Sequence, residues 1–321
     1  MLSIGEWLET NGRRLLLVAR RSIGLLAVLA LALGAAAVWR GVDDFAAYGL
    51  VLDIGYLALS IFTLLLAFAM GALGWWLILR ALGGQLDLGS AIRVWLVSQL
   101  GKYLPGGVVW YVAGRSLLAE ELGLAPVLGA VSMAVEFLLQ VAGAACFAVW
   151  MLSWGSVGSP YLWLVIAGAS GAVVFFPRTL NSGVSLLLRL LGRPGVRVQW
   201  RHHVGLMSYY LLQWWVIGTS FWLLVGAFVP QPLDTAFPLA GVYALACVAG
   251  YVVPLAPSGL GVREGVLVTL LHPFLPLPVA LGAAIIARLW YSAVELACGL
   301  LALGFSAAER RHRRSVGMPV K

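Results

Sequence analysis

The sequence is poor in charge. Aspartate, glutamate, lysine and arginine make up 11% of its 321 residues, where a soluble domain carries about 25%. It has no polar stretch long enough to fold as a soluble domain. The longest, Pro177–His203, is interrupted by Val184–Leu191. Cysteine is nearly missing, and Cys146, Cys247 and Cys298 lie far apart in apolar segments. That excludes a disulfide framework and makes them small core residues. The four histidines show no metal-ligand spacing, and His202-His203, in a basic loop, reads as a solvated face. There is no GxSxG, HExxH, Walker loop or CxxC, and no Asp-rich or His-rich cluster for metal-assisted group transfer. No metal, cofactor or nucleic-acid partner is implied. With no ATPase motif, any transport must run downhill or be coupled to an ion.

What the chain has in abundance is apolar surface: 62% hydrophobic residues and a mean hydropathy of +0.96. This predicts an all-α polytopic membrane protein. Segments long enough to cross are Ile23–Trp39, Tyr56–Leu79, Pro126–Leu152, Tyr161–Phe176, Val204–Val229 and Pro278–Gly304, given that a crossing helix needs about 20 apolar residues. Four arginines precede the first segment and Ala35-Ala36-Ala37 resembles a cleavage site, but the apolar run is longer than a signal peptide needs, so it is read as an uncleaved span. Two further regions are apolar but interrupted: Leu88–Leu118, broken at Leu104-Pro105-Gly106-Gly107, and Phe237–Leu271, broken in Pro254–Gly265.

Basic residues orient these segments. The N-terminal tail, the loop Pro177–His203 with five arginines, and the C-terminal tail are all expected in the cytoplasm. Counting each apolar region as one crossing gives eight spans and strands the five-arginine loop outside. Six full spans plus two re-entrant broken-helix hairpins restore it, with the first hairpin dipping from the cytoplasm and the second from outside. Both termini are then cytoplasmic, in the cytoplasmic membrane.

The halves resemble each other. Trp76-Leu77, Ala81, Gln85 and Leu86-Asp87 match Trp222-Leu223, Ala227, Gln231 and Leu233-Asp234; Gly101 and Pro105 match Gly250 and Pro254; Glu136 matches Glu295. Each half holds three crossings, an odd number, so the copies are inverted across the bilayer. Residues 1–321 read as one integral membrane domain, with repeats at 15–155 and 156–307 and a basic tail at 308–321. Paired broken helices in inverted repeats are a transporter signature, with the site at the repeat interface.

Candidate site residues cluster at the breaks. Pro105, Gly106 and Gly107 interrupt the first hairpin beside Lys102, with Trp110 and Tyr111 as amphipathic walls and Arg115 a few residues on. Pro254, Pro257, Gly259 and Gly261 interrupt the second, followed by Arg263-Glu264. Freed backbone amides at half-helix ends attract anions, and arginine binds phosphate bidentately. The bland alternatives are that Lys102 and Arg115 anchor the hairpin by snorkelling, and that Arg263 and Glu264 are a structural ion pair. Glu136, with Gln140 one turn on, and Arg288, with Glu295 two turns on, put ionisable stripes deep in spans, where a lipid-facing placement is too costly. Spacing leaves open whether these groups meet a substrate or only each other.

The stretch from Ser98 to Trp110, Gly114-Arg115, and Pro257-Ser-Gly-Leu-Gly-Val-Arg-Glu-Gly265 together resemble the lysylphosphatidylglycerol synthase transmembrane family, also called flippase-like, over roughly residues 15–307. The resemblance implies lipid translocation. Two-domain members join this membrane domain to a cytosolic transferase that makes aminoacylated phosphatidylglycerol. This sequence ends at Lys321 soon after its last span, so the expectation is a member without that transferase, one that does not synthesise the lipid. The reading is a flippase for an anionic or aminoacylated phospholipid or a polyprenyl-phosphate-linked glycolipid, with Lys102, Arg115, Arg263, Glu264, Arg288, Glu136 and Glu295 binding substrate. The alternatives are a membrane-embedded transferase acting on a lipid-linked sugar, with a glutamate as base, and a non-transporting partner of an envelope-glycan machine. A homo-oligomer or an envelope-biosynthesis partner fits any of the three.

Overall fold

The computed structural model describes residues 52–103, 107–153, 182, 200–252 and 261–315. The described residues are helical, without a strand. Helix α1 (Ile54–Ala81) leads to α2 (Leu88–Gln99), which tightens into a 3-10 turn at Leu100–Tyr103; α3 (Gly107–Glu120) and α4 (Pro126–Ser153) follow. After residue 199 come α5 (Trp200–Gly226), a 3-10 turn at Leu233–Thr235, α6 (Ala236–Val252), α7 (Val262–Leu271) and α8 (Leu277–Ser315). The expected spans Ile23–Trp39 and Tyr161–Phe176, the N-terminal arginines and most of the five-arginine loop lie outside the described residues, as do Pro105, Gly106, Pro254, Pro257 and Gly259.

Local chemistry sets the helix ends. Asp53 and Asp87 cap α1 and α2, accepting from the amides of Tyr56 at 3.0 Å and Ser90 at 2.8 Å. Each satisfies a donor that has no partner within the helix. Gly83 (φ 84°) ends α1 in the left-handed region, and the Gly84 amide turns back to the Leu79 carbonyl at 2.8 Å. Pro126 starts α4, where its missing N–H costs nothing.

Four described stretches are long and apolar enough to cross a membrane: Ile54–Ala81, Pro126–Met151, Leu233–Tyr251 and Leu277–Phe305. Three of them coincide with expected full spans. Leu233–Tyr251 is instead the first arm of the expected second hairpin, and by length and composition it reaches further than the first hairpin's arm, α2. At 12 and 10 residues, α2 and α7 rise about 18 and 15 Å, roughly half a hydrocarbon core. The expected span Val204–Val229 is helix α5, 27 residues long, which is not among the four. It carries Tyr209, Tyr210, Gln213, Trp214 and Trp215, and it begins early enough to include His203. That histidine is buried, not on a solvated face, because the helix starts at Trp200 and carries it inward.

Lipid tails are as apolar as leucine, so helix association in a bilayer rests on close packing and hydrogen bonds. Both join α1 to α5. Ser60 and Ser220 donate to each other's carbonyls at 2.8 and 2.6 Å. Gln213 reaches the Ala67 carbonyl at 3.0 Å and Tyr209 the Met70 carbonyl at 2.7 Å. Residue numbers rise along α1 as they fall along α5, so the two helices are antiparallel. Gly71 lets Trp95 of α2 lie against α1; a Cβ there would stand 2.6 Å from the indole.

The helix neighbours fall into matching sets. α1 packs on α2 as α5 packs on α6, and the runs α2–α3–α4 and α6–α7–α8 pack in sequence. Across the middle, α4 lies against α6 as α8 lies against α2. Buried tryptophans and tyrosines fill the centre, among them Trp75, Trp214, Tyr210 and Tyr243.

Asp87 gives this fold a test at its surface. The Ser90 amide and hydroxyl hold its carboxyl below the ordinary carboxylate pKa. Replacing Asp87 by alanine should cost about 1 kcal/mol. A carboxyl with a lowered folded pKa stabilises above its unfolded pKa and loses that contribution as the pH falls through the folded value. The melting-temperature gap between wild type and Asp87→Ala, measured in detergent, should therefore be present at neutral pH and close in acid. A gap independent of pH would contradict the cap.

Candidate functional site

Among the described residues, three ion pairs and Arg263, a buried cation with no carboxylate partner there, occupy the interior formed by α2–α4 and α6–α8. Arg115, fully buried on α3, pairs with Glu136 of α4. Its other donors reach Ser98 Oγ at 2.9 Å and the Tyr111 hydroxyl at 2.6 Å. Aromatic faces surround the guanidinium: Tyr111 at 4.7 Å, Trp75 at 5.1 Å and Trp95 at 5.7 Å. Trp95 also donates to the second Glu136 oxygen at 2.6 Å. Buried charges persist when paired and fully hydrogen-bonded, and this centre is closed in that sense.

Lys102 sits on the 3-10 turn that ends the first arm. It donates to Glu295 of α8 at 3.0 Å, and the Tyr103 hydroxyl donates to the other Glu295 oxygen at 2.7 Å. Lys102 also lies 5.0 Å from the Tyr111 ring, so one tyrosine touches both Lys102 and Arg115. Glu295 is buried, while the Lys102 side chain keeps 32% of its surface exposed.

The adjacent pair Arg263-Glu264 separates. Successive residues on a helix point about 100° apart, and the two side chains find different partners. Glu264 accepts from the Gly261 amide at 2.7 Å, closing the start of α7 where Gly261 takes φ 82°. Its other oxygen stands 3.6 Å from Arg288 of α8. Arg263 donates to the Tyr243 hydroxyl of α6 and lies over the rings of Tyr243 and Tyr291 at 4.7 and 5.3 Å. Phe68 bridges the two halves, 5.3 Å from Tyr291 and 6.0 Å from Trp95.

The structure thus brings Arg115 to Glu136, Lys102 to Glu295 and Arg288 to Glu264. It does not pair Arg263 with Glu264, nor Arg288 with Glu295. Gln140 joins Gln213 of α5 at 3.1 Å. Gly107 begins α3, and of the expected break glycines Gly259 and Gly261 only Gly261 lies within the described residues. Trp95, Tyr103, Tyr243, Tyr291 and Gln213 are not among the expected site residues. A signal existed only for Gln213, an amide inside an expected span. Among the described residues no group of three His, Cys, Asp or Glu could hold a metal ion.

Breaking a buried pair from one side costs about 3–5 kcal/mol, whereas replacing both partners by apolar groups is often neutral. Glu136→Gln should therefore lose the monodisperse species on size-exclusion chromatography, and Arg115→Met with Glu136→Leu should recover it. A Glu136→Gln protein with wild-type elution and melting would contradict a structural role for the pair.

The model of the family described as the lysylphosphatidylglycerol synthase TM region matches residues 15–299. No curated protein matches the chain. The match runs through both halves of the polar interior, and the chain belongs to the lysylphosphatidylglycerol synthase transmembrane family.

Proposed function

We propose that this chain is a lipid flippase of the cytoplasmic membrane. In this reading six full spans and two re-entrant hairpins form an inverted repeat, with both termini in the cytoplasm. The cargo is an anionic or aminoacylated phospholipid or a polyprenyl-phosphate-linked glycolipid. Supporting the repeat are the antiparallel α1 and α5, the second expected crossing of each half, and the matching helix neighbours that follow each. The observation that carries the function is Arg263: a buried cation, on the helix after the second break, with a tyrosine hydroxyl and two rings as its partners. Ionisable groups at such depth are costly and mark pathways.

The headgroup enters the interior and its phosphate meets Arg263, while its tails stay in the bilayer. Lys102 and Arg288, with 32% and 19% of their side chains exposed, are the cations it passes. Arg115 and Glu136, sealed from both sides, hold the first half in shape. The halves then rock against each other, opening the interior to one face and then the other. A transferase would need a carboxylate able to take a proton. Glu136, Glu264 and Glu295 are each held by a cation of the chain, which weighs against that alternative.

The test is reconstitution into vesicles carrying a fluorescent phosphatidylglycerol, with dithionite quenching to follow lipid reaching the outer leaflet. Wild type should move the lipid faster than protein-free vesicles. Arg263→Ala should fall to the protein-free rate with expression and elution unchanged. A wild type that moves no lipid removes the flippase reading and favours a non-transporting partner; an Arg263→Ala protein at full rate removes the residue's role.

A further inference from the structure

Among the described residues, the charges of the interior do not balance. Four cations, Lys102, Arg115, Arg263 and Arg288, stand there against three carboxylates, Glu136, Glu264 and Glu295. Of the other acidic residues in the described segments, Asp53, Asp87, Glu120, Glu121 and Asp234 lie at helix ends or in turns, and Glu309 lies in the last part of α8, well past Glu295. Each of the three interior carboxylates has a cation of the chain. Arg263, 9% exposed, has no carboxylate partner among the described residues and makes one hydrogen bond there, to Tyr243, of the five it can donate.

A second donor belongs to the same cluster. Trp290 of α8 is 7% exposed, and its indole N–H has no hydrogen-bond partner among the described residues. Its ring meets Tyr243 edge-on at 6.4 Å and Tyr291 at 6.5 Å, the two rings that hold Arg263. A buried N–H left unsatisfied costs about 1–3 kcal/mol. Arginine and indole are donors only, so a group completing both must accept hydrogen bonds and carry negative charge. A cationic adduct has the opposite needs. It would require a carboxylate of its own, and the three present are engaged, while its charge would stand against Arg263 where little water screens it.

We propose, resting on the transport reading above, that the site at Arg263 and Trp290 selects a headgroup of net negative charge, a phosphate-type monoanion, and discriminates against aminoacylated headgroups with a net positive charge. The anion neutralises Arg263 and accepts from the indole.

The test is binding, which does not depend on transport. The detergent-purified chain is incubated with equal amounts of phosphatidylglycerol, phosphatidylethanolamine and lysylphosphatidylglycerol, and the retained lipid is read by native mass spectrometry. Phosphatidylglycerol should be retained about tenfold over lysylphosphatidylglycerol, which keeps the phosphate but sets its added ammonium groups against Arg263. Arg263→Gln should erase the preference, Arg263→Lys should keep most of it, and Trp290→Phe should lower it. Equal retention, or retention of the aminoacylated lipid, overturns the inference, even if the chain moves lipid in vesicles. A clear preference in a chain that moves no lipid upholds the inference and sinks the transport reading. Full displacement of phosphatidylglycerol by excess inorganic phosphate would overturn a lipid site in favour of a soluble anion.

Discussion

A charge that enters the hydrocarbon layer must bring its partner with it, and that constraint organises this molecule. Isolated ions there cost so much that they are neutralised, paired or moved to an interface. Arg115 and Glu136 meet the constraint within the first half, where Tyr111, Trp75 and Trp95 cover the guanidinium. Glu264 and Arg288 meet it within the second half. Lys102 and Glu295 meet it across the halves, so this pair makes contact between the two units an electrostatic matter as well as one of packing. Arg263 meets it incompletely, through aromatic faces and one hydroxyl. The place where the rule is least well satisfied is where a ligand has the most to contribute.

The helix breaks serve the same end. A chain of unbroken spans would present side chains alone to the interior. Stopping α2 in a 3-10 turn at Leu100–Tyr103 sets Lys102 and Tyr103 against Glu295. Starting α7 at Gly261 aims Arg263 toward α6 and Glu264 toward α8. Aromatic rings then carry contact between the halves, from Trp95 through Phe68 to Tyr291 and Arg263. Such rings are rigid amphipathic bodies, able to pack on one side and accept a cation on the other.

Much of this was legible in the sequence. Low charge and long apolar runs specify membrane helices, and the Pro-Gly clusters near residues 105 and 257 specify interruptions, because proline and glycine act on the chain locally. The rare ionisable residues in those runs marked the interior. Partner choice was not legible. Periodicity places Arg288 and Glu295 on one face of α8, yet each reaches a residue on another element, since a helix face says where a side chain points and not what awaits it. Adjacency suggested that Glu264 balances Arg263, and helical rotation separates them. Tyr243 and Trp95 looked like ordinary core aromatics among many, and only the fold shows which of them hold charge. His203 looked solvated because its neighbours are basic; the helix that carries it inward begins just before it.

The central claim is that two units of like structure face opposite sides of the membrane and enclose one polar interior. The most direct measurement labels equivalent turns. Single cysteines replace Gln85, in the exposed turn between α1 and α2, and Leu233, 77% exposed between α5 and α6, in a chain with Cys146, Cys247 and Cys298 changed to serine. A membrane-impermeant maleimide is then applied to each face of the membrane in turn. The account predicts that position 85 labels from the cytoplasmic face and position 233 from the opposite face. Labelling of both from one face would contradict it.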